Sequence, residues 1–156
     1  MNLVRDGAVV LERRIHASPA TVFSFFSSAE QWVLWQGQEA TIEPWRGGVF
    51  RTVVPGNHVA SGRFVEILPE RRLVLTWGWE DPDHPVPPGS SKVEIDFLAD
   101  GDGTLLRLRH TLLPASFIER YQAGWQHYTR RLLIRAEGGD PDPDEPFLND
   151  VTESNG

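Results

Sequence analysis

The side chains most able to do chemistry in this 156-residue chain are aromatic. "LTWGW" at 75–79 places Trp77 and Trp79 two residues apart with only Gly78 between them. In a strand that spacing puts both indoles on one face. Two indoles so close are hard to bury without acceptors for both N–H groups, so the pair points to a wet or ligand-filled space as well as to core. Further on, Phe117, Tyr121, Gly124, Trp125, Tyr128 and Leu132 recur at helical spacing and form one apolar stripe with polar tips. His110 is the one titratable residue in the alternating run Leu106, Leu108, His110, Leu112. It reads first as a satisfied interior histidine. If it lines a pocket, it could donate to a ligand carbonyl or act as a general base.

Other chemistry finds little support. There is no cysteine, hence no disulfide framework, thiolate nucleophile or Cys-ligated metal. No His pair has the helical i, i+4 spacing of a metal site, and no Gly-x-Ser-x-Gly elbow or phosphate loop occurs. Neither a metal nor a cofactor is expected. His58 and His84 fall in turns, His16 ends the first strand, and His127 falls off the aromatic stripe, where it reads as solvated. Of the 22 acidic residues, seven lie from Glu137 onward with no basic residue, which leaves 15 against 15 Lys plus Arg before that point. The acidity therefore belongs to the tail, and the remainder has no basic excess to favour nucleic acid. The N-terminus lacks the apolar run of a signal peptide or membrane span, which reads as a soluble, cytoplasmic protein.

The elements that must position these groups follow from periodicity and punctuation. A first strand starts at Ala8, with Val9, Leu11 and Arg13 alternating against Val10, Glu12 and Arg14. Ser18-Pro19 opens a short helix, and Ser28 with Gln31 opens a second that carries Trp32 and Trp35. Six strand-like segments follow at 39–45, 49–54, 59–68, 73–79, 92–99 and 104–113, separated by turns and a Pro/Asp-rich loop. A long helix with a Ser116/Glu119 capping box ends near Gly138-Gly139. Beyond it the sequence is too polar and Pro-rich to make a core and reads as a tail, 139–156, in which Phe147 and Leu148 could pin it to the body at 1–138. A meandering sheet must have its apolar face covered, and only the last helix is long enough to cover it.

That order, with "LERRIHASPATVFSFF", "RGGVFR", "GRFVEILPERRLVLTW", "GTLLRLRHTLL" and the helix carrying "GW" at 124–125, resembles the helix-grip fold of the START-like (SRPBCC) superfamily. The specific likeness is to single-domain relatives of the activator of the Hsp90 ATPase, over residues 8–138. On that resemblance the fold is α+β, a curved antiparallel sheet of six or seven strands wrapped around the C-terminal helix. The chain would lack the additional N-terminal domain of the full-length cochaperone. Members of the superfamily bind lipids, sterols, polyketides or hormones beneath the helix, and some are cyclases. The expected function is binding of a small hydrophobic or aromatic molecule by Trp35, Phe50, Trp77, Trp79, His110, Tyr121, Trp125 and Tyr128, with Trp32 and Trp35 at the pocket mouth. The rivals are a cyclase or hydrolase using His110, and a chaperone-binding module. A homodimer through an exposed sheet edge is also expected.

Overall fold

A computed structural model describes residues 4–5 and 8–144. The elements in chain order are β1 (Val4–Arg5), β2 (Ala8–Ile15), α1 (Pro19–Ser27), α2 (Ala29–Trp32), β3 (Glu39–Ile42), β4 (Val49–Val54), β5 (His58–Leu68), β6 (Arg72–Trp79), β7 (Ser91–Asp100) and β8 (Gly103–Thr111). A 3₁₀ turn (Ala115–Phe117) then leads into α3 (Ile118–Ala136). All eight strands form one antiparallel sheet in the order β1-β2-β8-β7-β6-β5-β4-β3. Seven are full strands and β1 is a two-residue edge pairing. This is the α+β helix-grip architecture expected from the sequence.

Alternation sets which face is buried. In β7, Ser91, Val93, Ile95 and Phe97 are buried, and the intervening Lys92, Glu94 and Asp96 are only partly so. In β8, Thr104, Leu106, Leu108 and His110 are buried between exposed Arg107 and Arg109. The register Val9↔His110↔Val93 aligns these rows across β2, β8 and β7. Arg13 extends the β2 row: its Nε donates to Thr129 at 3.1 Å, and Nη2 donates to the Gln126 carbonyl at 2.8 Å on α3. The guanidinium therefore fastens the sheet to the helix.

The expected inward face of β8 fails at its last member. The strand ends at Thr111, and Leu112 takes a left-handed conformation (φ +65°) that leaves it 70% exposed. Leu113 takes its place in the core. The Ser116/Glu119 box does not form either. The 3₁₀ turn already supplies the first helical residues, so α3 begins on Phe117 in αR geometry without a side-chain cap. Ser28 accepts from the Gln31 backbone at 3.4 Å, but the Gln31 side chain donates to Ser24 instead of closing the box. The C-terminus of α3 does follow its glycines: Gly138 has φ +94°, its N–H reaches the Arg135 carbonyl, and the Gly139 N–H reaches Ile134, the paired bonds of a Schellman motif.

The chain then turns back along α3. Asp140 pairs with Arg135, the Asp142 carbonyl accepts from Arg131, and Asp144 accepts from Tyr128 Oη at 3.0 Å and from His127 Nε2 at 2.9 Å. His127 is thus engaged by the acidic segment instead of standing solvated. Phe147 and Leu148 lie outside the described residues.

A continuous aromatic seam fills the space between sheet and helices. Phe23 and Phe26 meet Phe97, Phe26 meets Trp32 and Trp35, Trp32 meets Phe50, and Phe50 stacks on Trp77. Beyond Trp77 the seam opens into a cleft.

Candidate functional site

The cleft lies between the end of β6 and the N-terminal half of α3. Trp77 and Trp79 on β6 form one wall, edge to face at 6.1 Å between centroids and 84° between planes. Phe117, Arg120, Tyr121, Gly124, Trp125 and Tyr128 form the other, at the spacing of one helical face. His58, Asp81 and His84 edge the cleft from β5 and the loop after β6, and Gln36 contributes from the segment after α2. About 640 Å³ of space lies between these walls, counted out to the open side. The enclosed part of the cleft has a volume of about 60 Å³.

The loop at 80–90 holds its place because of Gly78. The Trp79 N–H donates to the Val86 carbonyl at 2.7 Å, and Val86 is fully buried. A Cβ on Gly78 would stand 1.9 Å from the Pro87 carbonyl oxygen. The glycine is therefore a site of close backbone approach, not a bulge. The register shift in this pair of strands lies at Phe64/Glu66 of β5 instead.

Five of the eight binding residues expected from sequence line the cleft: Trp77, Trp79, Tyr121, Trp125 and Tyr128. The other three stand behind it. Trp35 is fully buried beside Phe26, its indole N–H donating to the Phe25 carbonyl at 2.8 Å, so it is interior and not at a mouth. Trp32 is likewise interior, donating to Gln36 Oε1 at 3.2 Å. Phe50 faces inward and stacks on the far side of Trp77 at 4.9 Å.

His110 is 0% exposed and part of a closed relay. The Trp125 indole N–H can only donate, and it reaches His110 Nδ1 at 3.0 Å. The ring hydrogen therefore sits on Nε2, which donates to Ser91 Oγ at 2.8 Å. The Ser91 hydroxyl donates in turn to the Trp77 carbonyl at 2.7 Å. Burial without a charged partner pushes His110 down to about 3. Both ring nitrogens are occupied, so the geometry supplies no free lone pair for base catalysis. The ring instead locks Trp125 to β7 and β6.

Trp79 donates to Tyr121 Oη at 2.7 Å. Burial raises both Tyr121 and Tyr128 above the ordinary phenol value, which keeps both as neutral hydroxyls. His84 accepts from the Val86 N–H at Nδ1, and burial lowers its pKa, so its hydrogen is on Nε2. His58 Nδ1 meets Asp81 Oδ2 at 2.7 Å, and Arg120 lies over the Phe117 ring at 4.4 Å. Among the described residues no group of three His, Cys, Asp or Glu could hold a metal ion.

Several wall residues escape sequence reading. Phe117 and Gly124 belong to the aromatic stripe and were legible there. Arg120 lies three residues after Phe117 and four before Gly124, which brings it to the rim of the same wall. His58, Asp81 and His84 converge only because the 80–90 loop folds back, and local spacing carries no trace of that contact.

A curved antiparallel sheet closed over a C-terminal helix, with an aromatic cleft between them, defines a helix-grip protein of the START-like class. Within that class the profile described as "Activator of Hsp90 ATPase homolog 1-like protein" matches residues 16–136, and the chain belongs to this family. It is 29% identical over 121 residues to the human activator of 90 kDa heat shock protein ATPase homolog 1, covering 77% of this chain. The chain spans about a third (34%) of that relative's length. The AHSA1-like protein of Rhizobium etli is 40% identical, with a TM-score of 0.70 over 92% of this chain and 89% of that one. The Aha1 dimer from Colwellia psychrerythraea shares the fold at 12% identity, with a TM-score of 0.75 over 86% of this chain and 98% of the other. Among the described residues no helix is long and apolar enough to cross a membrane.

Proposed function

We propose that this protein binds a small apolar, aromatic molecule in the cleft between β6 and α3. The observation that carries the reading is an unfinished wall: Trp77 lines an open aromatic cleft at 2% exposure, and its N–H has no acceptor among the described residues. A buried donor left unpaired costs about 1–3 kcal/mol, which a guest with an acceptor recovers. Ring faces on both walls supply apolar contact, and a few polar tips supply orientation. The available space suits one ring more than a sterol-sized body. Native mass spectrometry of freshly purified protein, followed by extraction, tests this. A reproducible small-molecule adduct that is absent from Gly124→Leu supports it. An unliganded protein that also binds no single-ring aromatic up to its solubility limit counts against it.

Family membership raises a second reading, contact with an Hsp90-type chaperone, since the human relative is named as an activator of that ATPase. Stimulation of Hsp90 ATPase turnover by this chain, unchanged by Gly124→Leu, would support that role apart from the cleft. β3 leaves one edge of the sheet unpaired among the described strands, and a second copy could pair there. Sedimentation velocity distinguishes monomer from dimer.

A further inference from the structure

The polar groups around the cleft are unequal in kind. Two buried side-chain polar atoms lack partners among the described residues, Trp77 Nε1 and Gln122 Oε1, and only the first belongs to a cleft-lining residue. An indole nitrogen can donate and cannot accept. Tyr121 Oη already accepts from Trp79, and no acceptor among the described residues takes its own hydrogen. His84 has its acceptor nitrogen occupied by the Val86 N–H, which leaves Nε2–H as its remaining function. Arg120 lies over Phe117 with no carboxylate paired to it among the described residues. The one carboxylate on the wall, Asp81, is engaged by His58 at 2.7 Å.

The one unpartnered buried atom of the wall is therefore a donor, the spare hydrogens of Tyr121 and His84 are donors too, and the uncommitted charge at the rim is positive; only the Tyr128 hydroxyl, which donates to Asp144, offers the cleft acceptor capacity alone. A guest that brought donors of its own would leave Trp77 unpaired and set like against like. A neutral hydrocarbon would leave the orphan N–H, already buried, without an acceptor. A carboxylate carries two acceptor-only oxygens and one negative charge, the complement of this set.

Resting on the ligand-binding reading above, we infer that the molecule taken by the cleft is a small aromatic carboxylate. Its ring lies among Trp77, Trp79 and Trp125, and its oxygens are met by the Trp77 N–H and the Arg120 guanidinium. The indole sets a requirement for an acceptor. The guanidinium sets the preference for negative charge, weakened by its partial exposure to water.

Three probes of nearly equal shape test this: phenylacetate, phenylacetamide and phenethylamine, each titrated into the ¹⁵N-labelled full chain at pH 7.5. Phenylacetate is expected to bind about ten-fold more tightly than phenethylamine, a difference of about 1.4 kcal/mol. One of the indole N–H resonances, assigned by its loss in Trp77→Phe, moves downfield on saturation as a newly hydrogen-bonded proton does. In Arg120→Gln the charge preference falls to within about three-fold, the indole shift remaining. If Trp77→Phe does not fold, the Arg120→Gln comparison on the solvent-facing rim still decides. Equal binding of all three probes, a Trp77 proton that does not move, or a charge preference that survives Arg120→Gln overturns the carboxylate assignment and leaves ligand binding standing. No binding of any probe overturns both.

Discussion

The relay through His110 makes a quantitative claim about acid stability. In the folded chain His110 stays neutral, because a second ring proton would displace the Trp125 N–H from Nδ1 and place an unpaired charge in the core. In the unfolded chain it returns to its ordinary value of 6.5, against about 3 when folded. The folded value lies below the unfolded one, so this contribution is fully present above pH 6.5. It is lost as the pH falls through 6.5 towards 3. At pH 5 an unfolded-state histidine of that value is protonated about thirty times more often than not. RT times the logarithm of that ratio gives a loss of about 2 kcal/mol, compared with a few tenths at pH 7. Carboxylates of ordinary value remain mostly ionised at pH 5, which keeps the window clear. The assay is urea unfolding at pH 7 and pH 5 for the wild type and for His110→Gln. Glutamine cannot take the proton and keeps one acceptor and one donor. The wild type should lose about 2 kcal/mol more than the variant over that interval. His84 has a pKa lowered in the same direction, but it is common to both proteins and cancels. Equal losses in the two proteins, or a His110 ring titrating near pH 6.5 in the folded state by NMR, would refute the relay.

Further outcomes follow from the same contacts. Trp125→Phe removes the donor to His110 Nδ1 and should cost about 1–3 kcal/mol beyond the lost packing, because it strands a buried acceptor. Trp77→Phe deletes an N–H that has no partner and should be the milder of the two in urea unfolding. Gly78→Ala drives a methyl into the Pro87 carbonyl, displacing the 80–90 loop at a cost of at least about 1–3 kcal/mol. In a calorimeter this would appear as a lowered Tm. Asp144→Ala removes the acceptor of the buried Tyr128 hydroxyl and one partner of His127, with an expected loss of about 1 kcal/mol. Gly124→Leu occupies the cleft from the helix side and should abolish uptake of single-ring aromatics, while gaining up to about 1 kcal/mol of helix propensity.

Local patterns carried most of the fold. The alternation of Val93, Ile95 and Phe97 fixed which face of β7 is buried, and the Gly138-Gly139 pair marked the end of α3, because each depends on neighbours two to five residues away. The cleft was legible where it rests on such patterns, through Trp77 and Trp79 on one strand face and Tyr121, Trp125 and Tyr128 on one helix face. Misreadings arose where a distant contact decides. Trp35 is withdrawn into the core by the Phe25 carbonyl and by Arg131, whose Nε donates to the Trp35 carbonyl from 96 residues away. Leu112 turns outward because the chain leaves the sheet one residue sooner than the hydrophobic run does. His110 carries the same letter whether it is a base or a brace, and only its two partners, 15 and 19 residues away, separate the two roles.

The most direct test of a guest held between β6 and α3 is intermolecular NOE spectroscopy with phenylacetate. Cross-peaks from the probe to the Trp77 and Tyr121 rings are predicted, with none to Trp45, which is 57% exposed in the turn between β3 and β4 and does not line the cleft. Cross-peaks confined to Trp45, or none at saturating probe, would contradict it.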